Sequence, residues 1–224
     1  MKRGLPGTVV ACLLVSTAPA AAQGLSDYDY EDLSFRGIGL DVGYIWPNDV
    51  EDTESFGLRV DLGYLGPGIR ILPRVGYWSS ALDPEEVARL ESRVVELVEE
   101  QNPGAPPLTL DLGRVTWADV SVGTDAQFVW LVPYDILTYA GLGVAVHFRN
   151  GSGGAIHDTF IEDLLDSTAA GANVHGGLEV PVGTRLRIYG DARYELAGDV
   201  RFFGIRAGVQ FLFQDPAPGE RRIS

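Results

Sequence analysis

Eight stretches of this chain alternate, residue by residue, between apolar side chains and charged or small ones. They run near Phe35–Trp46, Ser55–Tyr64, Ile69–Ser79, Val115–Trp130, Tyr134–Arg149, Ala170–Val180, Thr184–Glu195 and Arg201–Phe213. A period of two marks a strand whose two faces meet different surroundings. A tilted strand crossing a bilayer needs about 9–11 residues, and most of these stretches exceed that. One face carries Ile38, Leu40, Val42 and Tyr44; Leu58, Val60 and Leu62; Val120 and Val122; Leu142, Val144 and Val146; Leu186 and Ile188; Ile205, Val209 and Phe211. The other carries Asp41, Arg59, Asp61, Arg70, Arg74, Asp119, Asp125, Arg149, Glu179, Arg187, Asp191, Arg193, Glu195 and Arg206. Glycines such as Gly39, Gly43, Gly57, Gly141 and Gly143 share that second face, as does His147.

Alternation does not say which face is inside. A soluble lipocalin-like barrel would turn the apolar set inward and the charges out. Three features favour the inverse, a membrane barrel with a polar interior. The polar face is mostly Arg, Asp and Gly, and glycine relieves crowding inside a narrow barrel. Aromatic residues on the apolar face collect near strand ends. Tyr44, Trp46, Phe56, Tyr77, Phe148, Tyr194 and Phe203 are expected in one girdle, and Tyr64, Phe128, Trp130, Tyr134, Phe211 and Phe213 in the other. Paired girdles match two membrane–water interfaces. Finally, the connections alternate in length. Leu65–Gly68, Leu131–Pro133 and Pro181–Gly183 are tight, whereas Pro47–Glu54, Ser80–Arg114, Asn150–Ala169 and Ala197–Val200 fall on the opposite side and include the long ones. Short periplasmic turns and long outer loops give that asymmetry. An even strand number then puts both mature termini in the periplasm. No segment after the leader holds 18 uninterrupted apolar residues, so a crossing would require a closed barrel.

The N-terminus reads as a secretory signal peptide over residues 1–22. Lys2 and Arg3 supply the positive region, Val9–Val15 a short apolar run, and Pro19-Ala20-Ala21-Ala22 a small-residue cleavage site. Cys12 lies in that run, so the mature chain is expected to lack cysteine and to use neither disulfides nor cysteine–metal sites. The chain has 17 basic and 31 acidic residues, a formal charge of −14, and its only lysine is Lys2. Such acidity excludes nucleic acid as an expected partner. Residues 23–34 read as an acidic lead-in, 35–213 as the barrel and 214–224 as a periplasmic tail.

Seven arginines and seven carboxylates on the polar face suggest a neutralised network of bidentate pairs in a lumen that eight strands leave just filled. The alternative is a narrow ion- or proton-conducting pore. His147 and His175 share the inward parity, but no His-x-Ser motif lies on a strand face. His157-Asp158 lacks an obvious serine partner in its own segment, and no catalytic residues are assigned. Two loops carry helix signals. Asp83-Pro84-Glu85-Glu86 supplies a cap, a first-turn proline and an acidic third position, followed by a stripe of Val87, Leu90, Val94, Leu97 and Val98. A shorter candidate starts at Asp158, with Phe160, Ile161, Leu164 and Leu165 apolar. These stripes either pack on each other or the barrel rim, or form a lid or partner surface. The outer loops are acidic, but no Asp-x-Asp-x-Asp-Gly spacing supports a cation site, and neither metal nor cofactor is expected.

The last strand ends in Arg206-x-Gly208-x-x-Phe211-x-Phe213. This pattern resembles the C-terminal signal by which Gram-negative outer-membrane barrels are handed to their insertion machinery. It departs from the usual form in being followed by eleven more residues, Gln214–Ser224. In strand number, loop asymmetry and final-strand pattern, the mature chain resembles the small eight-stranded outer-membrane barrels, the OmpX, opacity-protein and OmpA-barrel class. The resemblance implies an all-β, antiparallel up-and-down transmembrane barrel in the outer membrane. Its implied partners are membrane lipid, lipopolysaccharide and the insertion machinery, with a monomer favoured. Roles in that class range over adhesion, envelope stability, small pores and lipid A-modifying enzymes, so the fold does not settle function. A non-enzymatic structural or adhesin-like role is expected, with a narrow channel as the alternative.

Overall fold

The computed structural model describes residues 33–66, 68–103, 110–157 and 159–213. The expected signal peptide, nearly all of the acidic lead-in and the C-terminal tail lie outside them. The strands are β1 (Gly37–Pro47), β2 (Thr53–Asp61), β3 (Tyr64–Gly66), β4 (Ile69–Ala81), β5 (Val115–Val132), β6 (Ile136–Gly153), β7 (Ser167–Pro181), β8 (Leu186–Ala197) and β9 (Val200–Leu212). Strands consecutive in the chain pair antiparallel, except β2 and β3; β1 pairs with β9, and β2 pairs with β4. The sheet therefore closes. β2 and the three-residue β3 form one stave, because both lie against β4. The barrel thus has eight staves and no free edge, which is what a membrane interior demands of a sheet.

The eight expected strands are all present, and their ends lie within a few residues of the sequence reading. The apolar face points outward: Leu40, Val42, Val122, Leu142, Val144, Ile188, Ile205 and Val209 are all exposed. An apolar surface wrapping the whole circumference is incompatible with water and suits acyl chains. Aromatic contacts mark its two borders. Trp46 stacks on Phe203 with ring centroids 5.7 Å apart and meets Tyr44 edge-on. At the other end Phe213 stacks on Phe35 at 5.1 Å and meets Phe211 edge-on.

One girdle assignment is wrong. Tyr64 is buried in the lumen, in a cluster with Val129, Leu137 and Tyr139. The cause is a break in the stave at Leu62-Gly63, where Gly63 adopts φ +76°. That left-handed residue interrupts the alternation, so the parity of β2 does not extend to β3. The ladder survives the break, since Leu62 N–H donates to Ile71 O (3.1 Å) and Ile71 N–H donates to Gly63 O (2.9 Å).

The long connections build a cap. Helix α1 (Pro84–Gln101) follows β4, and α2 (Phe160–Leu165) precedes β7. Pro84 occupies the first turn of α1, whereas the Asp83 side chain makes no cap hydrogen bond; the Asp83 carbonyl accepts from Glu86 and Val87 instead. Leu90 and Val94 from α1, Ile161 and Leu165 from α2, and Val50, Leu82, Leu112 and Ile156 from the loops pack with Ile45, Trp78, Val115, Val200 and Phe202 at the strand ends. The apolar stripe of α1 is thus only partly used: Leu97 stays exposed.

Candidate functional site

The chemistry-bearing residues converge on the lumen, because strand parity gives alternate side chains no other place to go. All fourteen of the predicted charged residues point there, thirteen of them buried and Arg206 half-buried. Their ion pairs fall into two layers.

Nearer the short turns, Glu179 is fully buried and sits between three arginines. Arg70 makes a two-pronged contact with it (2.6 and 3.0 Å), Arg59 approaches to 2.7 Å and Arg187 to 3.3 Å. Two glutamines extend the layer. Gln127 accepts from Arg70, while Gln210 accepts from Arg59 and donates to Asp61 (2.8 Å). Asp61 also accepts from the Gly63 N–H (2.8 Å) at the strand break. The Arg59 guanidinium lies 3.3 Å from the centroid of the Tyr189 ring, a close cation–π contact.

Nearer the cap, Asp125 pairs with Arg193 through both oxygens. Asp191 accepts from Arg206 (2.8 Å), and Asp41 accepts from the Tyr189 hydroxyl (2.8 Å). His147 has a carboxylate at each ring nitrogen: Asp119 at 3.0 Å from Nδ1 and Glu195 at 3.1 Å from Nε2. Glu195 also accepts from Arg74 (3.0 Å), and Asp119 from Arg149 (3.2 Å). Arg149 reaches on to the Ala197 carbonyl and over the Trp117 ring, and the Trp117 indole donates to Leu165 O (3.0 Å). A continuous chain of contacts therefore joins the ionic lumen to α2 in the cap.

Among the described residues the expected bidentate pattern is seen for Arg70–Glu179 and Arg193–Asp125. Even in these pairs the carboxylate is shared, Glu179 with Arg59 and Arg187 and Asp125 with Asn173, because the narrow lumen packs the charges too closely for isolated pairs. Glycines make that density possible. A Cβ on Gly143 would strike both the Asp125 carboxylate and the Asn173 amide, and one on Gly57 would strike Asp41. The sequence reading omitted Gln127, Asn173, Tyr139, Tyr189 and Gln210, all lumen-facing; their parity with the charged set was the available signal. His175 lies between Asn173 (2.8 Å) and Gln127 (3.2 Å). Among the described residues no serine hydroxyl takes part in the hydrogen bonds of His147 or His175.

Little space is left. The gap among Asp41, Arg59, Arg74, Asp125 and Arg193 measures about 20 Å³, and the one beneath the cap about 30 Å³. Each has room for about one or two water molecules. Of the expected insertion pattern, Phe211 and Phe213 lie on the lipid face, Arg206 faces the lumen, and Gly208 lies against the Tyr189 ring.

At the rim, Asp49 and Asp83 both hold their protons more tightly than an ordinary aspartate. Burial is the first cause in each case. The charges of Glu86 and Asp199 add to it at Asp49, and those of Glu51, Asp52, Glu86 and Glu85 at Asp83. No grouping of three or more potential metal ligands occurs among the described residues.

A polar lumen inside an apolar, aromatic-bordered wall of eight staves decides the architecture. The fold is that of the small eight-stranded outer-membrane barrels. Among solved structures, this barrel is similar to the Neisserial surface protein A, with 14% identity and a TM-score of 0.53 over 82% of this chain and 100% of that one. Looser likenesses run to a major outer membrane protein of Thermus thermophilus (13% identity, TM-score 0.48, 80% and 99% covered) and to the attachment invasion locus protein of Yersinia pestis (10% identity, TM-score 0.43, 81% and 99% covered). No protein-family model and no curated protein matches the chain.

Proposed function

We propose that this barrel is a non-enzymatic, non-conducting protein of the outer membrane, with a structural or surface-interaction role carried by its acidic outer cap. One observation carries the reading: the lumen is blocked twice, by the ionic layers and by the apolar cap, and the two gaps described between them have room for a water molecule or two. A permeation path needs sites an ion can both enter and leave. Here the arginines are committed to carboxylates, and entry from outside is covered by Trp78, Phe202 and α1. The likeness to solved outer-membrane barrels supports the location, and the cap supplies the surface for contact with lipopolysaccharide or an envelope partner. The signal peptide and the periplasmic placement of both termini belong to the same proposal.

Reconstitution into planar bilayers tests it. The expected result is no reproducible unitary current at physiological voltage; regular single-channel steps would replace this reading with the narrow-channel alternative. Cell fractionation with heat-modifiability on a gel tests the location, and a purely soluble periplasmic protein would overturn it.

A further inference from the structure

One seam of the wall is built differently from the rest. β2 pairs with β4 only from Ser55–Trp78 to Arg59–Arg74, whereas β5 pairs with β6 from Val115–Gly153 to Val132–Ile136. Continuing the β2–β4 register sets Val60 opposite Pro73, and the bond from Leu62 N–H to Ile71 O shows that the register is kept beyond them. Because ladder bonds recur at every second residue, that bond also fixes which residues bond across the seam. They are Phe56, Leu58 and Val60 on β2 and Pro73, Val75 and Tyr77 on β4. Pro73 has no N–H, so the Val60 carbonyl loses its ladder donor. Proline in a sheet is ordinarily confined to edges and bulges, yet Pro73 lies well inside β4 (Ile69–Ala81). Lipid offers nothing in place of the missing bond.

The lumen side of this seam is weak as well. Gly57 faces Gly76, so no side chains meet there, and Arg59 faces Arg74, a like-charge pair. The two guanidiniums turn apart. Arg59 reaches Glu179 (2.7 Å), towards the short turns, and Arg74 reaches Glu195 (3.0 Å), towards the cap. Among the described residues no side-chain hydrogen bond or ion pair joins β2 to β4 between Ser55 and Arg59. Both lumen gaps lie behind the same seam. The deeper one is bordered by Gly57, Leu58, Arg59, Arg74 and Val75, and the one beneath the cap by Ser55, Phe56, Gly76, Tyr77 and Trp78. Phe56, Leu58, Val75 and Tyr77 belong to the lipid face, so the wall here is not backed by close-packed side chains. We propose that the β2–β4 seam is a lateral gate, the line along which the wall parts towards the bilayer while the cap and the other seams stay closed. Parting it breaks a short ladder, separates two cations and moves the strands into space that the gaps provide.

Amide hydrogen exchange tests the gate, followed residue by residue on the barrel in lipid nanodiscs and corrected for intrinsic rates. Val122 and Val146 are the internal reference, since they pair across β5–β6 on the lipid face and Val122 stands level with Val75. The amides of Phe56, Leu58, Val75 and Tyr77 should exchange at least about ten-fold faster than this reference, as local opening of one seam requires. Pro73→Val restores the missing donor with a side chain suited to a strand. It should slow the seam amides about three- to ten-fold, the worth of one hydrogen bond, and leave Val122 and Val146 unchanged. Equal rates around the barrel, faster exchange at another seam of the same depth, or seam rates unmoved by Pro73→Val would overturn the gate. Where that variant does not fold, the exchange map of the unaltered barrel decides.

Discussion

The middle of the lumen and its capped mouth are equally sealed from solvent and filled by opposite chemistry. Glu179 and Glu195 are fully buried in the first region, and Val115, Ile156 and Val200 are fully buried in the second. The ionic region is assembled from residues on the strands themselves. The apolar region is assembled mainly from loops and helices that hold together only when several connections fold at once. Charges taken out of water are tolerated only while every partner is in place, so the ionic region fails as a unit. Apolar packing loses stability in proportion to what is removed, so the cap fails locally.

Removing Glu179 is the severest way to break the comparison. Glu179→Ala leaves Arg59, Arg70 and Arg187 without their common acceptor and is expected to cost about 3–5 kcal/mol. The gel heat-modifiability midpoint of the whole barrel should fall; a drop confined to the cap would mean the ionic layer is not a unit. Leu90→Ala comes next, at about 2–3 kcal/mol for a buried leucine in a cluster that can partly collapse. Its effect should stay local: faster amide exchange in α1, with little movement of the barrel midpoint. Trp117→Phe removes the indole donor to Leu165 O and should cost about 1 kcal/mol, seen as fraying of α2 in the same exchange measurement.

The smallest effect is on pH. Asp49 and Asp83 have raised pKa values in the folded protein, so the folded cap binds their protons more tightly than the unfolded chain does. Their contribution to cap stability is complete below the ordinary value of 3.8 and is lost as pH rises through the raised values. Amide protection of α1, corrected for intrinsic exchange, should therefore be slightly higher in acid than at neutral pH. Asp49→Asn with Asp83→Asn should flatten that slope; a slope unchanged by both substitutions would place its origin elsewhere.

Much of this could be read from the sequence because two physical rules coincide. A strand reverses its side-chain direction at every residue, and a membrane barrel offers only lipid or lumen. Asp125, Arg193 and Glu195 were therefore assignable to the interior by parity alone, and so in principle were Gln127 and Gln210. Tyr64 was misassigned because parity is local and the left-handed turn at Gly63 resets it. Glu179 as the hub of three arginines was not legible either. Its partners lie 120, 109 and 8 residues away in the chain, and no periodicity encodes which arginine reaches which carboxylate.

By itself the sequence determined the number of staves, the faces of nearly every strand, the short and long ends of the barrel, and the inventory of charge inside it. Those properties follow from alternation and turn chemistry, which act between near neighbours. Only the tertiary structure decided how the charges are shared and that the loop helices close the mouth over Trp78 and Phe202. These depend on closure of the sheet, which brings β1 against β9 and fixes every cross-lumen distance at once.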